Sequence, residues 1–220
     1  MKKLAVIVLI VGMVMGFGNL SKAKNVSLGL KVGTLGIGPE ICYHINDAFS
    51  VRGQFGYFSK NFDTTEADVK YDLKFKIRNA GLLLDWHPFE GAFRISAGLF
   101  YNGNKFTGDA KSIEGEKYTI NGHTYYLNKI SASIKYTKLA PYIGIGYDTA
   151  SSKDSGLGFL VDLGVFYSKP KVSVDAYGDP DVINDPQFKA DLSKTKSELK
   201  SYADKLKFYP VIMIGLTYRF

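Results

Sequence analysis

The chain has 220 residues, with 28 Lys and Arg against 21 Asp and Glu, and its 15 Tyr and 15 Phe accompany a single Trp and a single Cys. One cysteine excludes a scaffold built on intrachain disulfides. No segment after residue 23 is apolar over the roughly 18 residues that a membrane helix needs, which excludes a helical membrane protein.

Residues 1–23 have the three parts of a secretory signal peptide. A positively charged start is followed by the apolar run Leu4–Gly18, and Ser21 and Ala23 are the small residues that precede a cleavage site. The alternative, a buried helix or a membrane anchor, is disfavoured because the apolar run is short for a span. We therefore expect cleavage near Ala23, export of residues 24–220, and no nucleic-acid partner despite the net charge of +7.

The first strand-like segment changes face in its middle. Apolar residues are even-numbered in Val26–Val32 and odd-numbered in Ile37–Ile45, so the pattern flips between Gly33 and Gly36. A two-residue turn at 34–35 would make two strands and eight in total, whereas a β-bulge in one long strand would give seven. Bacterial barrels have an even number of strands, and we therefore predict eight.

Period-two alternation continues through most of the chain. Apolar side chains share one face of segments such as Phe49–Tyr57 and Leu157–Tyr167, whereas mostly Gly, Ser and charged residues occupy the other. This pattern is typical of a membrane barrel, with lipid outside and a narrow polar lumen inside. We predict an all-β fold, a single antiparallel transmembrane β-barrel over residues 24–220, whose other six strands lie at about 48–62, 70–87, 93–108, 130–147, 156–176 and 208–220.

Aromatic residues mark both ends of these strands. They flank a short turn at 88–91 and recur roughly ten residues away, which matches the ~25 Å apolar band of outer-membrane barrels. The predicted girdle residues are Tyr57, Trp86, Phe93, Tyr101 and Tyr167.

Charged residues on the inward face are balanced in sign. An eight-stranded lumen is only wide enough for side chains to fill it, and unpaired charges there are costly, so we expect opposite charges to pair. We interpret this lumen charge network as the polar core of the barrel, with a gate in a narrow pore as the alternative. Its predicted members are Glu40, Arg52, Asp85, Arg94, Asp162 and Arg219.

No motif indicates chemistry. The three histidines, His44, His87 and His123, lack metal-ligand spacing. The glycine-rich segment 33–38 lacks the Lys-Ser/Thr and the helix of a phosphate loop. An outer-membrane lipase or deacylase would use a Ser near a His, and nothing marks such a nucleophile. We expect no enzyme activity, no metal and no cofactor.

The connections alternate between short and long, which sets the topology. With the C-terminus in the periplasm, short periplasmic turns are predicted at 46–48, 88–91 and 148–155, and longer surface loops at 63–69, 109–129 and 178–207. Asn121-Gly122 predicts a hairpin within the middle surface loop.

The last surface loop has a helical pattern over about 185–206, where Asp185-Pro186 supplies a cap and a first-turn proline. This helical surface loop is interpreted as a cover for the upper strands, with a lid or a partner-binding helix as the alternative. Its lysines would suit lipopolysaccharide phosphates, although a charged run is usually just a solvated face.

The C-terminal strand is the most specific signal. Apolar residues occupy every second position and the chain ends in an aromatic residue, which resembles the assembly signal of bacterial outer-membrane barrels and implies contact with the barrel-assembly machinery. The residues of this assembly signal are Ile212, Ile214, Leu216, Tyr218 and Phe220.

Five blocks carry a resemblance to a family: Gly33–Gly38, Gly81–Phe89, Phe93–Asn102, Ala140–Gly146 and Tyr209–Phe220. The chain resembles a family of proteobacterial outer-membrane β-barrel proteins that has no assigned reaction, and it is similar in build to the small barrels of the outer membrane protein A and W kind. The resemblance implies the fold and the outer membrane of a Gram-negative bacterium.

We therefore expect a structural or surface-interaction role, with an occluded polar lumen and with outer-membrane lipid and lipopolysaccharide as partners. A narrow channel for small or hydrophobic solutes is the alternative, and a lipid-modifying outer-membrane enzyme comes third.

Deleting Phe220 tests the assembly signal. The deletion removes the terminal aromatic from the apolar row of the last strand, and we expect the truncated chain to accumulate misassembled and protease-sensitive in the periplasm. Normal surface exposure together with normal heat-modifiable gel migration would contradict this role.

Overall fold

The computed structural model describes residues 25–66, 69–112 and 117–220, so the predicted signal peptide lies outside the described residues. Among these residues, no helix combines the length and the apolar character needed to cross a membrane. The elements in chain order are β1 (Val26–Gly33), β2 (Gly36–His44), β3 (Phe49–Glu66), β4 (Val69–Trp86), β5 (Phe93–Asn102), β6 (Lys105–Ser112), β7 (Lys117–Ile120), β8 (His123–Tyr136), β9 (Leu139–Asp148), β10 (Gly156–Tyr167), β11 (Pro170–Gly178), α1 (Pro180–Asn184), α2 (Pro186–Asp204) and β12 (Phe208–Arg219).

Eight antiparallel strands close into a barrel in the order β1, β2, β3, β4, β5, β9, β10 and β12, and β12 pairs with β1. The predicted turn at Thr34-Leu35 is confirmed, because Gly33 pairs with Gly36 and the two flanking segments are separate strands. Gly36 has a φ of 89°, a conformation that side chains rarely adopt. The eight-stranded antiparallel barrel predicted from the sequence is therefore confirmed.

The outer wall of the barrel is apolar. We call the end that holds Phe220 the lower end, and the opposite end the upper end. Outward side chains such as Leu82, Leu157 and Ile143 are 61–64% exposed, which is the state of residues that lipid would cover. On β10 the outward row runs from Leu157 to Tyr167, about 25 Å along the barrel axis once strand tilt is included.

The chain breaks its strand structure at one level of the barrel, between β5 and β6, between β8 and β9, and between β10 and β11. Polar side chains at these breaks form hydrogen bonds with one another, and we call this level the polar seam. Asn102 Nδ2 donates to Ser168 Oγ at 3.1 Å, Thr137 Oγ1 lies 3.1 Å from the same oxygen, and Asn79 Nδ2 donates to Asn104 Oδ1 at 3.0 Å. The alternation of the sequence predicts one continuous strand for each of these pairs, and the seam divides each into two.

Above the seam the chain forms a sheet from the tops of β3 and β4 together with β6, β8 and β11, which we call the upper sheet. The surface loops predicted at 63–69 and 109–129 are consequently shorter than expected, because β3 continues to Glu66 and β6 to Ser112. The hairpin predicted at Asn121-Gly122 is confirmed, since Ile120 pairs with His123.

The apolar and the polar face of the strands change places at the seam. On β4 the outward residues below it are Ala80, Leu82, Leu84 and Trp86, whereas those above it are charged. The inward residues change in the opposite sense, from Asp85 below the seam to apolar side chains above it. The β3–β4 register is continuous, so this exchange is a property of the sequence and not of a bulge. The inward face of the upper sheet consists mainly of apolar residues, among them Phe58, Phe62, Tyr71, Leu73, Phe75, Ile77, Phe106, Ile134, Val172 and Val174.

Helix α2 covers part of that apolar face. Asp185 caps the helix by accepting a bond from the Phe188 amide at 2.8 Å, and Phe188 is fully buried against Leu127 and Ile120. The helix thus lies over β11 and the β7–β8 hairpin, while the β3 and β4 part of the face stays open, with Phe62 at 45% and Leu73 at 39% exposure.

An epitope tag inserted at Ser193 tests the topology. Ser193 is exposed on α2, at the upper end, opposite the C-terminus. We expect antibody to label the tag on intact cells. Labelling that requires permeabilisation of the outer membrane would mean that the barrel is inserted the other way up.

Candidate functional site: the barrel lumen

Arg52 occupies the middle of the lumen with no solvent exposure. All five of its N–H donors have partners. Nε and one Nη2 hydrogen bind Asp85 at 2.8 and 3.0 Å, and the second Nη2 hydrogen binds Ser96 Oγ at 3.0 Å. Nη1 donates to Asp162 at 2.8 Å and to Glu40 at 3.1 Å. A fully satisfied guanidinium in this position cross-links β3 to β2, β4, β5 and β10.

Asp162 is the carboxylate on which all three lumen cations meet. Its Oδ2 accepts from Arg52 and, at 2.9 Å, from Lys31 Nζ, and its Oδ1 accepts from Arg94 Nη2 at 2.7 Å. Lys31 also binds Glu40 and Gln54. We call Lys31, Glu40, Arg52, Asp85, Arg94, Asp148 and Asp162 the lumen cluster.

The structure brings together five of the six residues predicted for this network and adds two. Lys31 faces inward between the outward Leu30 and Val32, so the alternation of β1 contained its signal. Asp148 was predicted in a turn but is the last residue of β9, where its Oδ2 lies 3.3 Å from Arg94 Nη1. Arg219 faces the lower rim instead, where its Nη1 donates to the Ser151 carbonyl at 2.6 Å.

An apolar layer lies directly above the lumen cluster. Phe100 packs edge-on against Tyr142, with ring centroids 5.2 Å apart, and Phe166 stacks on Tyr209 at 4.8 Å. Leu35, from the turn between β1 and β2, folds inward and is 2% exposed. We call this group the apolar layer; its members are Leu35, Leu83, Phe100, Ala140, Tyr142, Phe166, Tyr209, Val211 and Met213.

Inward-facing glycines make room for these side chains. A Cβ atom at Gly144 or Gly164 would lie 2.2 or 2.4 Å from the Tyr142 hydroxyl, and one at Gly146 would lie 2.6 Å from an Asp162 oxygen. The glycines on the inward face therefore create the space that the large side chains of the apolar layer and the lumen cluster fill.

The lower opening is also filled. The connection after β9 folds inward, and Ala150 is fully buried against Gly158. Two serine–histidine pairs lie at this level: Ser27 with His44 at 2.9 Å, and Ser50 with His87 at 3.2 Å. Within residues 25–66, 69–112 and 117–220, no group of three or more His, Cys, Asp or Glu side chains is arranged to hold a metal ion.

The third histidine belongs to a contact between α2 and the β7–β8 hairpin. Asp191 accepts from the Tyr125 hydroxyl at 2.5 Å, and its Oδ2 lies 2.9 Å from His123 Nδ1. The Tyr125 hydrogen bond, followed by His123, lowers the pKa of Asp191, whereas burial raises the pKa of Tyr125 to about 12. The contact is therefore intact at neutral pH, and it weakens as the pH falls through the lowered pKa of Asp191 or rises through the raised pKa of Tyr125.

The predicted girdle residues lie at the two ends of the apolar wall. Trp86 and Phe93 are at the lower end, whereas Tyr57, Tyr101 and Tyr167 are at the upper end. The residues of the predicted assembly signal, Ile212, Ile214, Leu216, Tyr218 and Phe220, run down β12 to the lower end, and Tyr218 packs edge-on against Phe220 at 5.0 Å.

A wide concavity of about 1000 Å³ lies outside the lumen. Leu30, Ile41, Phe55 and Leu216 of the outward row line it. Its apolar walls are those that lipid chains would contact.

An antiparallel barrel with an apolar outer wall, aromatic ends and a polar, filled interior defines the class of transmembrane β-barrels. Among solved structures, the chain is similar to CarO2 of Acinetobacter baumannii, with a TM-score of 0.58 and 22% identity over 89% of this chain and 98% of that one. It is similar to CarO of the same organism at the same TM-score and coverage, with 18% identity. The sequence matches no protein-family model and no curated protein sequence. The fold is thus that of small outer-membrane barrels.

Replacing Arg52 by Ala tests the lumen cluster. The change leaves Asp85, Glu40 and Asp162 without their shared cation, and breaking such a buried pair typically costs ~3–5 kcal/mol. We expect a clear fall in the urea midpoint of unfolding.

The matched control is the neighbouring outward residue. Val51→Ala removes only outward-facing surface, and we expect a much smaller change in the urea midpoint. Equal losses for the two variants would mean that the inward and outward faces of β3 are not distinguished.

Proposed function

We propose that this chain is an outer-membrane barrel of a Gram-negative bacterium that works through its surface-exposed upper sheet, with a structural or interaction role and no transport through the lumen. The short lower turns then face the periplasm, and the upper sheet and α2 face outward. The apolar outer wall and the aromatic ends support the membrane location. Removal of the signal peptide near Ala23 is part of this proposal.

The observation that carries the proposal is the closure of the lumen at successive levels. Arg52 and Phe166 are both 0% exposed, although they belong to the two different layers of the lumen. An ion crossing the barrel would have to separate the paired charges of the lumen cluster. It would then lose its hydration among the aromatic rings of the apolar layer, which is costly because apolar side chains supply no compensating ligands.

The upper sheet offers a surface for interaction. Its inward face carries a row of aromatic side chains across four strands, with ring centroids 5.6 Å apart for Phe62 and Phe75, 5.5 Å for Phe75 and Phe106, and 6.2 Å for Phe106 and Tyr136. The β3 and β4 end of this row is open to solvent. Exposed apolar patches of this kind are typical of binding surfaces.

The proposal includes no enzyme activity. A serine nucleophile needs a neighbouring base and access to substrate. Ser27 and Ser50 have histidine neighbours, but they are 2% and 0% exposed inside the filled barrel.

Planar-bilayer recording tests the absence of transport. We expect the purified wild-type barrel to give no reproducible unitary conductance steps, because the lumen cluster and the apolar layer block the lumen in series. Opening the upper block alone, in the double variant Phe100→Ala and Phe166→Ala, should also leave the bilayer silent because the lumen cluster remains.

The matched control replaces an outward aromatic, Phe159→Ala, whose ring is 49% exposed on the outer wall. Unitary steps in the wild type would contradict the proposal and favour a narrow channel. Steps that arise only in Arg52→Ala would identify the lumen cluster as a gate.

A further inference from the structure

The outward face of the upper sheet carries four lysines directly opposite one another on adjacent strands. Lys76 of β4 pairs with Lys105 of β6, Lys105 with Lys135 of β8, and Lys135 with Lys171 of β11. All four side chains are exposed. We call them the lysine row. With strands roughly 4.8 Å apart, the row places four positive charges along about 14 Å.

This arrangement is unfavourable in the isolated chain. Like charges directly opposite each other on neighbouring strands destabilise a sheet. The ion pairs formed within residues 25–66, 69–112 and 117–220 include none of the four lysines. The nearest acidic residues of the same face are Asp72, Asp109 and Asp175, four residues further up their strands, or about 13 Å away.

Two residues further up the same four strands, the next row of outward side chains consists of one lysine and three hydroxyl residues. Lys74 pairs with Thr107, Thr107 with Ser133, and Ser133 with Ser173. Ammonium and hydroxyl groups both donate hydrogen bonds to phosphate oxygens, and an ammonium group also supplies positive charge. The two rows together form a positively charged, hydroxyl-rich surface on the sheet, without an acidic residue between them.

The position of the lysine row indicates which anion it meets. The row continues the outer wall of the barrel, and Lys105 lies four residues above the girdle residue Tyr101, or roughly 10 Å once strand tilt is included. Arg78 and Lys138 lie between these levels, and Lys138 Nζ is 5.1 Å from the centre of the Tyr101 ring. Side chains that follow an interfacial aromatic girdle at this distance face the headgroups of the outer leaflet.

We infer that the lysine row, with Lys74 and the adjoining hydroxyls, is a binding site for the phosphate groups of a phosphorylated outer-leaflet lipid. The lipid phosphates supply the negative charge that the four lysines lack within the chain. The inference rests on the proposed insertion of the barrel with its upper sheet outward, and it assigns that outer surface a specific lipid partner.

Reconstitution in neutral phosphatidylcholine vesicles, doped with bisphosphorylated lipid A or with lipid A stripped of its phosphates, tests the site. The full chain purified from membranes should retain at least about tenfold more of the phosphorylated lipid A than of the form without phosphates. Added salt should reduce this difference. The fourfold variant Lys76→Gln, Lys105→Gln, Lys135→Gln and Lys171→Gln should lose this preference.

The matched control removes four exposed charges from α2 and its C-cap: Lys194→Gln, Lys196→Gln, Lys200→Gln and Lys205→Gln. It should retain phosphorylated lipid A as the wild type does. An equal loss in the α2 variant, or an undiminished preference in the lysine-row variant, would overturn the inference. If inorganic phosphate raised the heat-modification midpoint of the barrel as much as phosphorylated lipid A does, the inference would also be overturned, because the site would then bind free anions and not a lipid.

The stability of the lysine-row variant in neutral vesicles without lipid A gives a second readout, in which the substitutions should cause no loss. Removing repulsion should leave the heat-modification midpoint of the lysine-row variant equal to or above that of the wild type. A lower midpoint would mean that the lysines have partners within the chain, which would overturn the inference. The double variant Lys105→Gln and Lys135→Gln provides the same comparison with less change. Conductance by the wild type would contradict the proposed absence of transport and leave these lipid results unaffected.

Discussion

The contacts of Asp162 with Arg52, Lys31 and Arg94 hold the centre of this molecule together. Four of the eight barrel strands send a charged side chain to this point. A buried ion pair gains little over an apolar contact unless every donor and acceptor is satisfied, and here the Arg52 guanidinium satisfies all five of its donors. The lumen cluster therefore ties these strands together at the centre of the barrel, and the proposed closure of the lumen rests on it.

The polar seam separates two environments along the same strands. Below it, lipid requires apolar side chains outside, and the narrow lumen accepts charges only in pairs. Above it, the outward face carries lysines and the apolar residues turn inward, where α2 covers some of them. The same continuous strand β4 satisfies both requirements because its alternation changes sign near Arg78 and Asn79. The proposed surface role and the proposed lipid site both depend on this change.

Alternation was sufficient to predict the inward position of Arg52 and the outward position of Leu216, and together with the even strand number of bacterial barrels it predicted eight strands. It also contained the signal for Lys31, which lies on the inward parity of β1. It failed for Asp148, whose turn-like residue type concealed its place at the end of β9. It also could not predict the upper sheet, because a period-two pattern shows which residues share a face and not whether that face meets lipid or water. The pairing of Lys76, Lys105, Lys135 and Lys171 depends on strand register, which no single segment encodes.

We propose that the inward face is sealed below the seam and open above it. Two leucines on the inward face of β4 allow a matched test, because Leu73 is 39% exposed and Leu83 is 2% exposed. Each is replaced by Cys in a background in which the single native cysteine is changed, Cys42→Ala, and the reconstituted barrel is treated with a small, charged, water-soluble thiol reagent. The account predicts rapid modification of Leu73→Cys and modification of Leu83→Cys at least about a hundredfold slower, because a buried thiol reacts only when the structure opens. Similar rates at the two positions would mean that water fills the lumen, and would contradict the account.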